Sequence, residues 1–121
     1  MTIWRVNLNP KLWDQSQFEA LWHERYDMRT FAQSKGRCRM KIVPVKGDVV
    51  MFVWKKNIVM KGIVQNDGFI TNTYHQEHPC NRGPVRAHAE HPEFTWVTIT
   101  EVGLHIPFTF NGQRTWAKYN Q

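Results

Sequence analysis

Residues 74–91 read YHQEHPCNRGPVRAHAEH, and the stretch sets His75, His78, Cys80, His88 and His91 within a few positions of one another. Neutral imidazole and thiolate are zinc ligands, and the short spacings His75-x2-His78-x-Cys80 and His88-x2-His91 could place two pairs around one ion. The competing reading is a solvated loop in which His, Pro and Arg are decoration. Structural zinc sites usually carry more than one cysteine, and Pro79 constrains one of the pairs. We therefore expect no resident metal or other cofactor and keep a zinc-stabilised interaction domain as the alternative.

Other catalytic chemistry has less to stand on. Cys38 and Cys80 form no CxxC, no G-x-S-x-G elbow is present, and there is no glycine loop that would cradle a phosphate. Asp27, Asp48, Glu77 and Glu90 fall in no pattern whose spacing demands acid-base work, and Asp48 follows Gly47 in what looks like an ordinary turn. A binding module is expected over an enzyme; a small nucleotide-acting enzyme is the further alternative.

Charge and aromatics point to a ligand class. Sixteen Lys and Arg stand against ten Asp and Glu, a net +6. Arg29, Lys35, Arg37, Arg39, Lys41 and Lys46 lie in residues 28–46 with no acid among them. A local excess of this kind attracts polyanions, although a charge run can equally be a solvated face. Six tryptophans are many for 121 residues. Trp22, Trp96 and Trp116 are most simply core; Trp4, Tyr26, Trp54 and Tyr74 sit at strand ends or in irregular sequence. A flat ring beside a basic surface suits stacking of a nucleobase, worth roughly 1–3 kcal/mol per base.

The elements that must position these groups follow from pattern. The length suits a single domain, residues 1–121, able to bury roughly two thirds of its unfolded surface. The sequence lacks a signal-peptide pattern and any apolar run near the roughly 20 residues of a membrane span, so a soluble intracellular protein with no membrane partner is expected. TIWRVNL is a strand closed at Asn9-Pro10, and Ser16 with Glu19 forms a capping box that opens a helix to about Arg25. Residues 26–36 show no period. Arg37, Arg39 and Lys41 alternate with Cys38, Met40 and Ile42, predicting a strand with one basic and one buried face. KGDVVMFVW and NIVMKGIV predict a hairpin turning at Lys55-Lys56-Asn57, and FTWVTITEV a further strand after a long loop over residues 65–93. PFTF and QRTWAKY around Asn111-Gly112 could add a short hairpin or a terminal turn. Five or six strands, one main N-terminal helix and one long variable loop make an α+β, barrel-like domain.

Several of these segments together resemble the EVE-like branch of the PUA-like superfamily, which includes the YTH readers of methylated adenine. The carriers are I3-W-R-V-N-L-N-P10, Arg25-Tyr26-Asp27 with Arg29, Lys46-Gly47-Asp48 leading into VVMFVW, Met60-Lys61-Gly62-Ile63-Val64, and FTWVTITEV. The resemblance implies a small PUA-like mixed β-barrel and a pocket for a base, often a modified one, between aromatic walls. It places Tyr26 at one wall and Asn7 and Asn9 at the base edge; Trp54 is a further candidate by its position at a strand end, and Tyr74 or a histidine would have to serve as the second wall. Arg29, Lys35, Arg37, Arg39 and Lys41 would then meet phosphates of DNA or RNA, single-stranded or with a base flipped out. Tyr stands where the family has Trp in the post-helix motif, and residues 65–93 contain no Trp for a second wall.

Overall fold

A computed structural model describes residues 1–8, 10, 30–35, 40–71, 93–109 and 115–119. Eight strands lie within them: β1 (Ile3–Asn7), β2 (Thr30–Ser34), β3 (Val49–Trp54), β4 (Asn57–Val64), β5 (Ile70–Thr71), β6 (Glu93–Glu101), β7 (Ile106–Pro107) and β8 (Trp116–Lys118). They form one mixed sheet in the order β2-β6-β4-β3-β1-β8, with β5 alongside β6 and β7 alongside β4. The pairing of β1 with β3 is parallel and the others are antiparallel.

The sheet is open, which corrects the expected α+β barrel. Among the described residues there is no helix, and the edge strands β2 and β8 are not hydrogen-bonded to each other. The helix predicted from Ser16 to about Arg25 lies outside the described residues. Apolar runs such as VVMFVW signal burial on both faces, but in β3 Val50, Phe52 and Val53 are buried while Val49, Met51 and Trp54 are half-buried, a coverage that needs no closed barrel. Phe69 lies between the two edges: its ring meets Trp116 of β8 edge-on at 5.3 Å, and the Lys35 ammonium, just past β2, is 6.0 Å from its centroid. A side chain thus spans a gap that a barrel would close with backbone hydrogen bonds.

Alternation builds the core on one face of the sheet. Trp4, Val6, Val50, Phe52, Met60, Val64, Val97, Ile99 and Trp116 belong to one buried cluster, with Trp4 and Trp116 edge-to-face at 6.0 Å. Burying so many branched and aromatic side chains, each worth about 1.5–3 kcal/mol when fully covered, is what holds the sheet. Gly62 lets β4 and β6 approach beside a register shift, since a Cβ there would sit 2.6 Å from Val97 Cγ1 and 2.8 Å from the Thr98 carbonyl oxygen.

Other local expectations also change. Residues 40–42 are not strand, and Ile42 is exposed, so the alternation ending in Lys41 and Ile42 does not continue as a strand there. That segment serves a turn tied through Pro44, whose carbonyl accepts from the Gly68 amide (2.7 Å). The period-free stretch 26–36 contains β2, and the long loop contributes β5 and the first residue of β6. Instead of forming a hairpin with each other, β7 joins β4 and β8 joins β1.

Candidate functional site

The two ends of β3 are built differently. At its start, Asp48 is buried at 2 % exposure and accepts three hydrogen bonds: Thr2 N–H on Oδ1 (3.0 Å), and the Trp4 indole N–H (2.9 Å) and Val45 N–H (3.0 Å) on Oδ2. Burial works against its charge, but these donors outweigh burial and hold the carboxyl below its ordinary value. Residues 65–69 close over the same end. Lys46 N–H donates to Asp67 Oδ1 (2.9 Å), Gly47 N–H to the Val64 carbonyl (2.9 Å), and Asn66 Oδ1 accepts from Trp96 N–H (2.8 Å) as a strand carbonyl would. Asp48, which looked like an ordinary turn acid, is the polar centre of a clasp. Trp4, expected as a ring to watch for ligand, is 2 % exposed and spends its N–H on this carboxylate.

At the far end of β3 stands Trp54, half-buried and packed against the rim of the core. The turn that follows is Lys55-Lys56, with φ of 47° and 63°. Left-handed backbone at both central positions of a two-residue hairpin is normally the place of Asn-Gly. Two hydrogen bonds fix this turn: Asn57 Nδ2 donates to the Lys55 carbonyl (3.0 Å), and Phe108 N–H to the Lys56 carbonyl (3.0 Å). The Lys55 ammonium lies 4.5 Å from the Trp54 ring centroid. An aromatic face under a cation, on an exposed tip, is chemistry that can exchange one flat or charged partner for another.

Among the sequence-predicted site residues, Tyr26, Tyr74, Asn9, Arg29, Arg37 and Arg39 lie outside the described residues, as do His75, His78, Cys80, His88 and His91. Asn7 is in register with Val53, next to Trp54, so both sit at the C-terminal ends of parallel strands. Alternation nevertheless turns Asn7 away from the core face that carries Val6 and Leu8, whereas Trp54 packs against that core. The structure brings the two together along the backbone but not onto one face. Lys35 sits past the end of β2, paired with Glu93 at 3.4 Å and near Phe69. Lys41 is exposed three residues before Pro44, whose clasp lies a β3 length from Trp54, roughly 17–20 Å along the strand.

In sequence the Lys55-Lys56 pair reads only as a turn; the signal that sets it apart is two lysines where a tight hairpin calls for Asn-Gly. Among the described residues no group of three His, Cys, Asp or Glu is arranged to hold a metal, and no helix is long and apolar enough to cross a membrane. No family model, curated protein or solved structure matches the chain.

Proposed function

We propose that this chain is a nucleic-acid-binding module, rather than an enzyme, that stacks a base of DNA or RNA on an aromatic ring and draws the backbone in by its positive charge. The observation that carries the reading is Trp54 under the Lys55 ammonium at the exposed tip of β3. An exposed cation–π contact is worth about 0.5–1 kcal/mol, and base stacking about 1–3 kcal/mol. A base can therefore take the ring face from Lys55, and the released ammonium is left beside the phosphates. The net +6 adds the salt-dependent attraction that such binding needs. The resemblance to EVE-like proteins stands beside this as a sequence argument for base recognition.

Within this reading Trp54 is the stacking residue, while Lys41 and the exposed lysines contribute long-range attraction. Titration of labelled single-stranded oligonucleotides by fluorescence anisotropy tests it. Trp54→Leu keeps apolar bulk against the core but removes the ring, and should weaken binding by about ten- to a hundredfold, the equivalent of one stacked base. Wild-type binding that shows no salt slope, or a Trp54→Leu variant with unaltered affinity, rules the reading out.

A further inference from the structure

Resting on that nucleic-acid reading, we infer that the Lys55-Lys56 turn is a phosphate-contacting site, distinct from the basic residues in 28–46 that the sequence singles out. The first argument is conformational. Both lysines occupy left-handed backbone, a region that L side chains other than Asn and Asp adopt with difficulty. Asn-Gly would form the same hairpin with less strain, so lysines at these two positions place charge at this tip at the expense of ease of folding. The second argument is order. With the Lys55 carbonyl held by Asn57 and the Lys56 carbonyl by Phe108, the turn is fixed while both side chains are exposed.

The third argument is electrostatic. Lys35 and Lys61 each have an acid close by, Glu93 at 3.4 Å and Glu101 at 3.6 Å. Neither Lys55 nor Lys56 has an acidic partner among the described residues, and the contact of Lys55 is the Trp54 ring. Adjacent Cα atoms lie about 3.8 Å apart, and flexible four-carbon stems let the two ammonium groups reach successive phosphates flanking a base stacked on Trp54. Lysine binds phosphate as a point charge and reads no base, so these contacts set affinity and salt dependence, not sequence preference.

The test uses the full chain and two labelled single strands, oligothymidylate and oligoadenylate of about 16 nucleotides, titrated across a series of salt concentrations. K55N/K56G removes both charges and installs the preferred turn. Binding should weaken by the same factor for both strands, and the slope of log K against log salt should become shallower by about 1.4, about 0.7 for each phosphate contact. The thermal midpoint should rise in the same variant, so loss of binding cannot be loss of fold. K55Q/K56Q should show the same shallower slope without the gain in midpoint, and K55R/K56R should keep the wild-type slope.

A wild type that binds both strands, with an unchanged slope in K55N/K56G, overturns the phosphate site and leaves the stacking reading standing. Absence of wild-type binding overturns both. Affinity that falls for one strand only assigns the tip to base reading and overturns the inference, as does poly-L-glutamate competing as well as the oligonucleotides by mass.

Discussion

The two ends of β3 are six residues apart in sequence and opposite in construction. At the Asp48 end, the Thr2, Trp4 and Val45 N–H groups share one internal acceptor, the left-handed backbone positions are glycines (Gly47 and Gly68), and the Asp48 charge is buried among those N–H groups. At the Trp54 end, the left-handed positions are lysines, and their charges face water and an aromatic ring. The same backbone requirement is met by the residue that costs least at one end and by a more costly one at the other. Local rules are obeyed at the Asp48 end. The departure from them at the Trp54 end is what the proposed phosphate site would account for.

That contrast is open to attack. The largest effect should come from Asp48→Ala, which leaves Thr2 N–H, Trp4 Nε1–H and Val45 N–H without their acceptor. The expected loss is about 3–5 kcal/mol in denaturant unfolding, with oligonucleotide affinity of the folded fraction unaltered. Loss of affinity in step with the fold would mean that the clasp also serves the ligand.

The pH dependence follows from the same carboxyl. Its folded-state value lies below the ordinary 3.8, so the stability it contributes is complete at neutral pH, starts to fade as pH falls toward that ordinary value, and is lost as pH falls through the depressed folded value. The stability gap between wild type and Asp48→Asn should close along that acid limb; a gap that persists there would place the stabilisation in shape and not in charge.

Next in size is Trp54→Leu, where the comparison demands the reverse pattern: binding lower by about ten- to a hundredfold, with only a small shift in unfolding midpoint. Asn66→Ala should cost about 1–2 kcal/mol, because the Trp96 amide loses a side-chain acceptor that stands in for strand backbone. Its amide should then exchange faster with solvent than its β6 neighbours. The smallest effect belongs to the Lys35–Glu93 pair, whose side chains are 30 % and 54 % exposed. A double-mutant cycle should give about 0.2–1 kcal/mol, falling with added salt; a larger coupling would move Lys35 from the surface into the architecture.

Strands with strong local pattern were legible: TIWRVNL, VVMFVW, NIVMKGIV and FTWVTITEV each contain or overlap β1, β3, β4 and β6. So was the turn at Lys55-Lys56. Closure was not legible, because apolar runs report how many faces of a strand are covered and not whether two distant edges pair. The strand expected up to Ile42 failed for a related reason: alternation requires a neighbouring strand, and residues 40–44 are tied instead to the 65–69 segment through Pro44 and Gly68. β2 does not stand out because Thr30–Ser34 is short and polar at both ends, with only Phe31 and Ala32 apolar. Of the candidate site, the sequence pointed to Trp54 by its place at a strand end. It could not separate Asn7 from Trp54 by face, nor raise Asp48 above a turn acid, since its indole donor is forty-four positions away.

The sheet places its first and last strands side by side, with β1 between β3 and β8 and Trp4 against Trp116. Contacts between residues this far apart carry a high chain-closure cost before they return any stabilisation. The β3–β4 hairpin, which carries the lysine tip, needs only its own residues and can form in microseconds. The Trp4–Trp116 contact must wait until the sequence between them has been gathered, so its fluorescence signal should report the slow phase of refolding, well after the tip has taken shape.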